Sequence, residues 1–471
     1  MTPRRMPSVS KNTIHHSSLR SLARSLREGS VRAVDIAESC KTAYNTHETR
    51  LGAYKTWNGE GMLDTARLAD SLLSSGWDLG PMQGLPFSAK DLFGVPQLPT
   101  FAGSPAALPA QWQTPGPLVQ TLLTQMAPVS GKTHTVEFAY GGLGTNRHWT
   151  PPRNPWDAQA VRVPGGSSSG AGVSLIQGSA LLALGTDTAG SVRVPASMTG
   201  TVGLKTTKHL WSTDGIVPLS DSFDTPGLFT RTVADAVFAF EALQGSAVPE
   251  LHSLAGVRIG VPEQFFWEDC EPGITEAVQQ GLKELERAGA TLVTLDIEHV
   301  AEAYDHFQKG GVSPPELYRF LQRDLPDWLE TMDPNVRTRM ETGKDITAWE
   351  YLQRLDRFRA IGALAAQQLE TVDVLATPSV AVTPPTLEAL EPEGEYARIN
   401  IKALRNTCIG NVLGLCGLTL PVGLDQASMP VGLLLTARPY SEARMLGVAA
   451  QMECVLGTVI ERLGTAPRLK A

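Results

Sequence analysis

The chain reads as an α/β protein, one large domain in which a central mixed β-sheet is covered by α-helices. Two stretches predict it. PGITEAVQQGLKELERAGA (residues 272–290) is an amphipathic helix closed by a glycine, set between the strand-like runs VRIGVP (257–262) and TLVTLDI (291–297). A strand–helix–strand unit of this kind calls for a parallel or mixed sheet with helices on its faces. SLIQGSALLALGT (174–186) is small and apolar throughout, which predicts a buried helix followed by a buried strand.

The remaining elements follow in order. Residues 17–46 place Leu, Ala and Ile at helical spacing among Arg and Glu, predicting one or two amphipathic helices. Gly84–Ala89 is a short apolar run after a Gly/Pro turn, a buried strand ending at Lys90. Residues 94–117 hold six prolines and read as loop, with a helix at Leu118–Met126. Residues 302–366, richer in charge and aromatics, read as helices laid over the sheet. Cys408–Leu424, the most apolar late stretch, contains Asn411 and four glycines. It reads as buried strands and turns rather than a membrane helix. No repeat, low-complexity segment or linker divides the chain. Residues 1–471 are therefore expected to form one domain, with its core at roughly 15–460.

Composition narrows the function classes. The 471 residues are 42% hydrophobic with net charge −8, and pI is near 5.7 with mean hydropathy −0.08. An acidic chain without a Lys/Arg-rich block does not bind nucleic acid through its own field. Five cysteines with no CxxC pair point to a reducing, cytoplasmic compartment. MTPRRMPSVSKN has no apolar run behind it and does not read as a signal peptide. The isolated His15–His16 pair predicts no metal site.

The densest chemistry lies at 162–207, which opens RVPGGSSSGAG and continues GTDTAGSVRVPAS. Glycine and serine in such proportion read as a flexible linker in polar surroundings, but here apolar sequence flanks them. Glycines within a core mark close backbone approach or unusual φ/ψ. Ser167 and Ser191 are the candidate hydroxyls, and GLPFSAKD supplies Lys90 upstream. A phosphate loop needs GxxxxGK[ST], and GGSSSGAG has no lysine in place. Cys408 and Cys416, among Gly, Leu and Val, read as buried structural cysteines.

These motifs resemble those of the amidase signature enzymes, which hydrolyse amides with a Ser–Ser–Lys triad. Ser167 and Ser191 stand 24 positions apart, as the family's two serines do. The likeness extends through GKTHTVEFA (131–139), RNPWD (153–157), DTPGLFTRTVADA (224–236), DVLATPSV (373–380) and LTLPVG with MPVGLLL (418–435). It implies the amidase signature fold, no cofactor and no metal.

The resemblance also implies roles. Ser191, in a sharp small-residue turn, is the nucleophile, and the backbone N–H groups of Thr188, Ala189, Gly190 and Ser191 form the oxyanion hole. Ser167, following a cis Gly166–Ser167 bond, bridges Ser191 to Lys90 by hydrogen bonds. Lys90 acts as base only if burial keeps it neutral, and Asp91 opposes this if it faces the same way. Asp187 shapes the turn by binding backbone amides, while Ser168 and Ser169 support the loop. His134 stands where the family often has asparagine. Tyr140, Gly141 and Gly142 are expected to wall the substrate pocket, with Pro96–Pro117 and the segment 302–340, in which the aromatics Tyr304, Phe307, Tyr318, Phe320 and Trp328 occur.

The expected activity is hydrolysis of small or aromatic amides, extending to N-aryl carbamates and esters, through an acyl-enzyme on Ser191. The partner is a small molecule, with no nucleic acid and no membrane, and the chain is a monomer or homodimer. One alternative is the glutaminase component, the A subunit, of a tRNA-dependent amidotransferase. Its acidic residue for the glutamine amino group aligns with Leu404, which argues against it. A second is an allophanate or urea-derivative hydrolase, suggested by DTAGS. A non-catalytic scaffold on this fold loses the triad, whereas all three residues are present here.

Overall fold

Residues 257–297 fold as a parallel strand–helix–strand unit. Arg258–Val261 and Thr291–Thr294 pair in parallel around the helix Ile274–Arg287. Gly289, at φ 107°, supplies the left-handed turn after the helix that a side chain would disfavour. The computed structural model describes Ile14 and residues 17–470. MTPRRMPSVSKN and His15–His16, on which two of the sequence-based expectations fall, lie outside the described residues.

Among the described residues eleven strands share one sheet. The first six are β1 (Tyr54–Trp57), β2 (Phe87–Lys90), β3 (Val129–Thr133), β4 (Leu182–Asp187), β5 (Val202–Lys205) and β6 (Thr225–Thr230). They are followed by β7 (Arg258–Val261), β8 (Thr291–Thr294), β9 (Val374–Pro378), β10 (Cys416–Leu424) and β11 (Pro430–Ala437). The order across the sheet is β1-β3-β2-β4-β6-β5-β10-β11-β9-β7-β8. β2 runs parallel to β3 and β4, and β7 to β8 and β9. The other pairs are antiparallel. The mixed sheet covered by helices is therefore as expected.

Several boundaries differ. Cys408–Val412 is not strand or turn but the end of the helix Glu395–Val412, and only Cys416–Leu424 is strand. An apolar run this short does not distinguish a buried helix end from a strand. The helix expected from Ser174 begins at Ser169, ends at Ile176, and is closed by Gly178 at φ 84°. An 18-residue window within Glu442–Leu463 has mean hydropathy 1.3, but half of that window is buried in the protein. Its carboxylates serve the fold: Glu442 accepts from Thr207 N, and Glu453 from Val233 N and Ala234 N at the start of the helix Val233–Gln244. The segment comprises two helices packed on the fold, Glu442–Leu456 and Val459–Leu463.

The proline-rich loop is anchored to the sheet by buried charge. Asp91 Oδ1 lies 3.0 Å from Lys132 Nζ, with side-chain exposures of 1% and 0%. Asp91 Oδ2 accepts Phe101 N (3.1 Å), and Lys132 Nζ donates to Thr100 Oγ1 (2.8 Å). Removing one partner of such a pair leaves the other charge buried and uncompensated. Asp91→Ala should lower the unfolding free energy by about 3–5 kcal/mol in a denaturant titration. A loss below about 1 kcal/mol, the range of exposed pairs, refutes this account of the loop.

Candidate active site

Lys90 closes β2, and Asp187 closes the neighbouring parallel strand β4. Both therefore stand at carboxyl ends of strands, where α/β sheets open a crevice. Lys90 Nζ donates to Ser167 Oγ at 2.7 Å and to Thr186 Oγ1 at 2.8 Å. The side chain is fully buried. Burial lowers its pKa to about 7, against the carboxylates of Asp224 and Asp187, which favour the ammonium. Asp91 turns the other way, to Lys132, and does not oppose neutrality. Once deprotonated, Nζ has a lone pair with which to accept the Ser167 hydroxyl proton.

Ser167 is reached through a cis Gly166–Ser167 bond, with Gly165 at φ 80°. Backbone hydrogen bonds hold the segment: Gly166 N donates to Gly142 O (2.8 Å), Val136 N to Ser167 O (3.1 Å) and Ser168 N to Ser191 O (3.3 Å). The last ties the two serine segments together. The expected hydroxyl bridge is only half formed, because Ser167 Oγ bonds Lys90 while, among the described residues, Ser191 Oγ makes no hydrogen bond. Ser191 borders a cavity, and Ser167 lies fully buried.

Asp187 organises the turn between them. Its carboxylate accepts Gly190 N (2.8 Å), Val192 N (3.0 Å) and Asn411 Nδ2 (2.9 Å), and it pairs with Arg193 through Nε (3.1 Å) and Nη2 (2.9 Å). Burial pushes this carboxyl's pKa up, but Arg193, Lys205 and the amides outweigh burial and leave it well below the usual range. This corrects one expectation. The Gly190 N–H is committed to Asp187, so Gly190 is not an oxyanion donor, and the donors left in the turn are Thr188, Ala189 and Ser191. Gly190 has a different constraint: at φ 131°, a Cβ there would strike Thr407 Oγ1.

The cavity beside Ser191 is small, about 50 Å³. Thr188 and Ala189 border it on the nucleophile side, and Tyr140 and Gly141 on the other. Gly142 does not line it. Its N–H donates to Asn400 Oδ1 (2.7 Å) and its carbonyl accepts Gly166 N, so it supports the Ser167 segment instead. Of the five aromatics expected in the wall only Phe307 is there. Tyr304 packs on Phe265, Tyr318 under Lys344, and Phe320 on Trp112, while Trp328 Nε1 reaches Ala106 O. No residue of Pro96–Pro117 borders the cavity either. These aromatics do what apolar side chains of surface helices ordinarily do: they pack the helices together.

The expected wall segment 302–340 does reach the cavity, through Phe307, Gly310, Ser313 and Arg339, but the sequence did not single out its two polar lining residues, Ser313 and Arg339. Arg339 Nη1 donates to Tyr140 O (3.0 Å), and its guanidinium carbon lies 4.2 Å from the centre of the Tyr140 ring. Among the described residues no carboxylate pairs with it. One arginine among many on charged helices carries no local signal. Leu404 also borders the cavity.

Rival chemistries find little support. Cys408 and Cys416 are buried, and burial pushes their thiols far up, away from thiolate reactivity. Burial lowers His134 to about 4. Among the described residues no group of three or more His, Cys, Asp or Glu is arranged to hold a metal.

The family model described as Amidase matches residues 35–446. The chain belongs to the amidase family. A 2-amino-5-chloromuconic acid deaminase of Comamonas testosteroni is 51% identical to it, over 96% of this chain and 99% of that one. An amidase of Pseudomonas putida is 33% identical, over 91% of this chain and 94% of that one. A solved amidase structure superposes with a TM-score of 0.83 at 29% identity, covering 94% of this chain and all of that one. As an amidase the protein hydrolyses C–N bonds of amides, and the geometry around Lys90 predicts how its rate responds to pH.

A base must be neutral to accept a proton, so kcat/KM should rise with pH along a limb centred near 7. Lys90→Ala should abolish the limb and most of the rate, and EDTA should leave the rate unchanged. A limb that survives in Lys90→Ala belongs to another group.

Proposed function

We propose that the protein is a serine hydrolase that cleaves small amides through an acyl-enzyme on Ser191. The observation that carries this is the 2.7 Å contact between a buried, easily deprotonated Lys90 and Ser167, with Ser191 bordering the cavity beside them. In this reading Lys90 takes the Ser167 proton as Ser167 takes that of Ser191. Ser191 Oγ attacks the carbonyl carbon, and the oxyanion is met by N–H groups of the 188–191 turn other than Gly190. The proton returns to the leaving nitrogen, and water releases the acyl group by the same relay.

The substrate we favour carries a carboxylate. The 51% identical relative is named for an amino-substituted unsaturated diacid, and an unpaired guanidinium at the cavity suits an acid group. Allophanate, itself an anion, fits the same requirement. Aromatic amides, N-aryl carbamates and esters use identical acyl chemistry, but a cavity of about 50 Å³, with Tyr140 and Phe307 as its aromatic wall residues, favours them less. For glutamine, Leu404 at the cavity offers the amino group no acid. Five unpaired cysteines agree with a reducing cytoplasm, and we keep the reading of a single domain acting as monomer or homodimer.

Ser191→Ala should lower kcat at least about 1,000-fold with an unchanged circular dichroism spectrum. Retention of more than a few per cent of the rate removes Ser191 as nucleophile. The substrate reading is tested with fumaric acid monoamide against its methyl ester, following ammonia release. Arg339→Gln should cut the preference for the free acid by about 10- to 100-fold. Equal losses on both substrates, or no wild-type preference, overturn the carboxylate assignment.

A further inference from the structure

One buried carboxylate near Lys90 has no part in the mechanism above. β6 begins at Thr225, which lies opposite Asp187 at the end of β4. Two side-chain hydrogen bonds bracket these strand ends: Thr225 Oγ1 donates to Asp187 O (2.8 Å), and Thr188 Oγ1 donates to Asp224 Oδ1 (2.5 Å). Asp224 Oδ2 accepts Leu219 N (2.8 Å) and Ser220 N (3.0 Å). The carboxylate is thus fully bonded and 8% exposed. It stands directly behind Thr188, a wall of the cavity, and Thr186, on the same strand two residues earlier, holds Lys90 Nζ.

We infer that Asp224 is a positioning residue for the reaction: it braces the nucleophile turn through Thr188, and its charge steadies the Lys90 ammonium that each turnover creates. The inference rests on Lys90 acting as the base. Two carboxylates act on that lysine, Asp224 and then Asp187. Asp187 is neutralised by Arg193 at 2.9 Å, whereas Asp224 has no ion-pair partner among the described residues. The charged groups around Asp224 are few. Lys208 Nζ donates to its backbone carbonyl (3.1 Å), Asp221 and Glu316 act on Lys208, and Glu316 also binds the Ser220 hydroxyl. Burial raises the Asp224 pKa, and the Thr188 hydroxyl, the two amides and Lys208 work against burial.

Charge and bracing are separable by mutation. In Asp224→Asn the amide oxygen still accepts the two backbone N–H groups, and the amide N–H₂ donates to Thr188 Oγ1, which then acts as acceptor. The bracket survives and the charge is lost. Thr188→Val does the reverse. Both are compared with wild type by kcat/KM against pH on a neutral small amide. Removing a negative charge disfavours the ammonium, so Asp224→Asn should move the rising limb down by about 1 pH unit and lower the plateau about 10-fold. Asp224→Ser, which also removes the charge, should move the limb the same way even if Asp224→Asn folds poorly. Thr188→Val should lower kcat about 10-fold with the limb in place. An unmoved limb in both Asp224 variants, or a limb that moves equally in Thr188→Val, overturns the inference. A wild-type profile without a limb near 7 instead overturns Lys90 as base, so the two failures are distinguishable.

Discussion

The wholly buried pair of Asp187 and Arg193 is the constraint on which the rest of the site depends. Desolvating two charges costs several kcal/mol, and the pair is tolerable only where geometry and further hydrogen bonds offset that cost. Here the offset comes from the parts of the site itself: the amides of Gly190 and Val192 and the side chain of Asn411. The turn at 188–191 therefore takes its shape because it solvates a carboxylate. Asn411 also fixes the helix Glu395–Val412 against the turn. That helix sends Thr407 to Ala189 O and Asn400 to Gly142 N, and brings Leu404 to the cavity. One ion pair thus aligns segments more than 200 residues apart in the chain.

Lys90 is held between opposing demands. Without burial it remains an ammonium at neutral pH, and without nearby carboxylates it has no means of holding the proton it accepts. A pKa near 7 is the compromise. It has a linkage cost with a definite sign. The folded value lies below the unfolded one of about 10.4, so between roughly 7 and 10 the unfolded chain binds more protons, and stability contributed by this residue grows with pH. Below 7 the full penalty applies. The structure thus gives up stability on the acid side to hold a lysine that is easily deprotonated.

Much of this was legible in the sequence, for a physical reason. A parallel strand–helix–strand unit announces itself through hydrophobic period, and a turn that must admit a substrate carbonyl announces itself through small residues at 188–191. Asp187 could be assigned to the turn because a carboxylate beside three small residues has few other partners. Other features depended on distances the chain does not display locally. The loss of Gly190 as donor follows from Asp187 folding back by three residues. Gly142 supports Ser167 because Asn400, 258 residues away, takes its N–H. The aromatics of 302–340 could be counted but not oriented. Arg339 looked like any arginine on an exposed helix, and Asp224 was only the first letter of the motif DTPGLFTRTVADA.

The size and lining of the cavity decide where specificity is to be sought. An apolar wall discriminates by about 1–3 kcal/mol per methylene, and a cavity of about 50 Å³ has little wall to use. A polar group left unpaired on closing costs as much in a single contact. Arg339, already bonded to Tyr140 O by one nitrogen, keeps other N–H donors for a ligand. On the reading proposed above, a substrate with an acid group gives that guanidinium an ion-pair partner beside Phe307 and Leu404, and one without an acid group does not. On that reading charge is the stronger filter, and the turn at 188–191, built around one buried carboxylate, would meet a substrate that brings another.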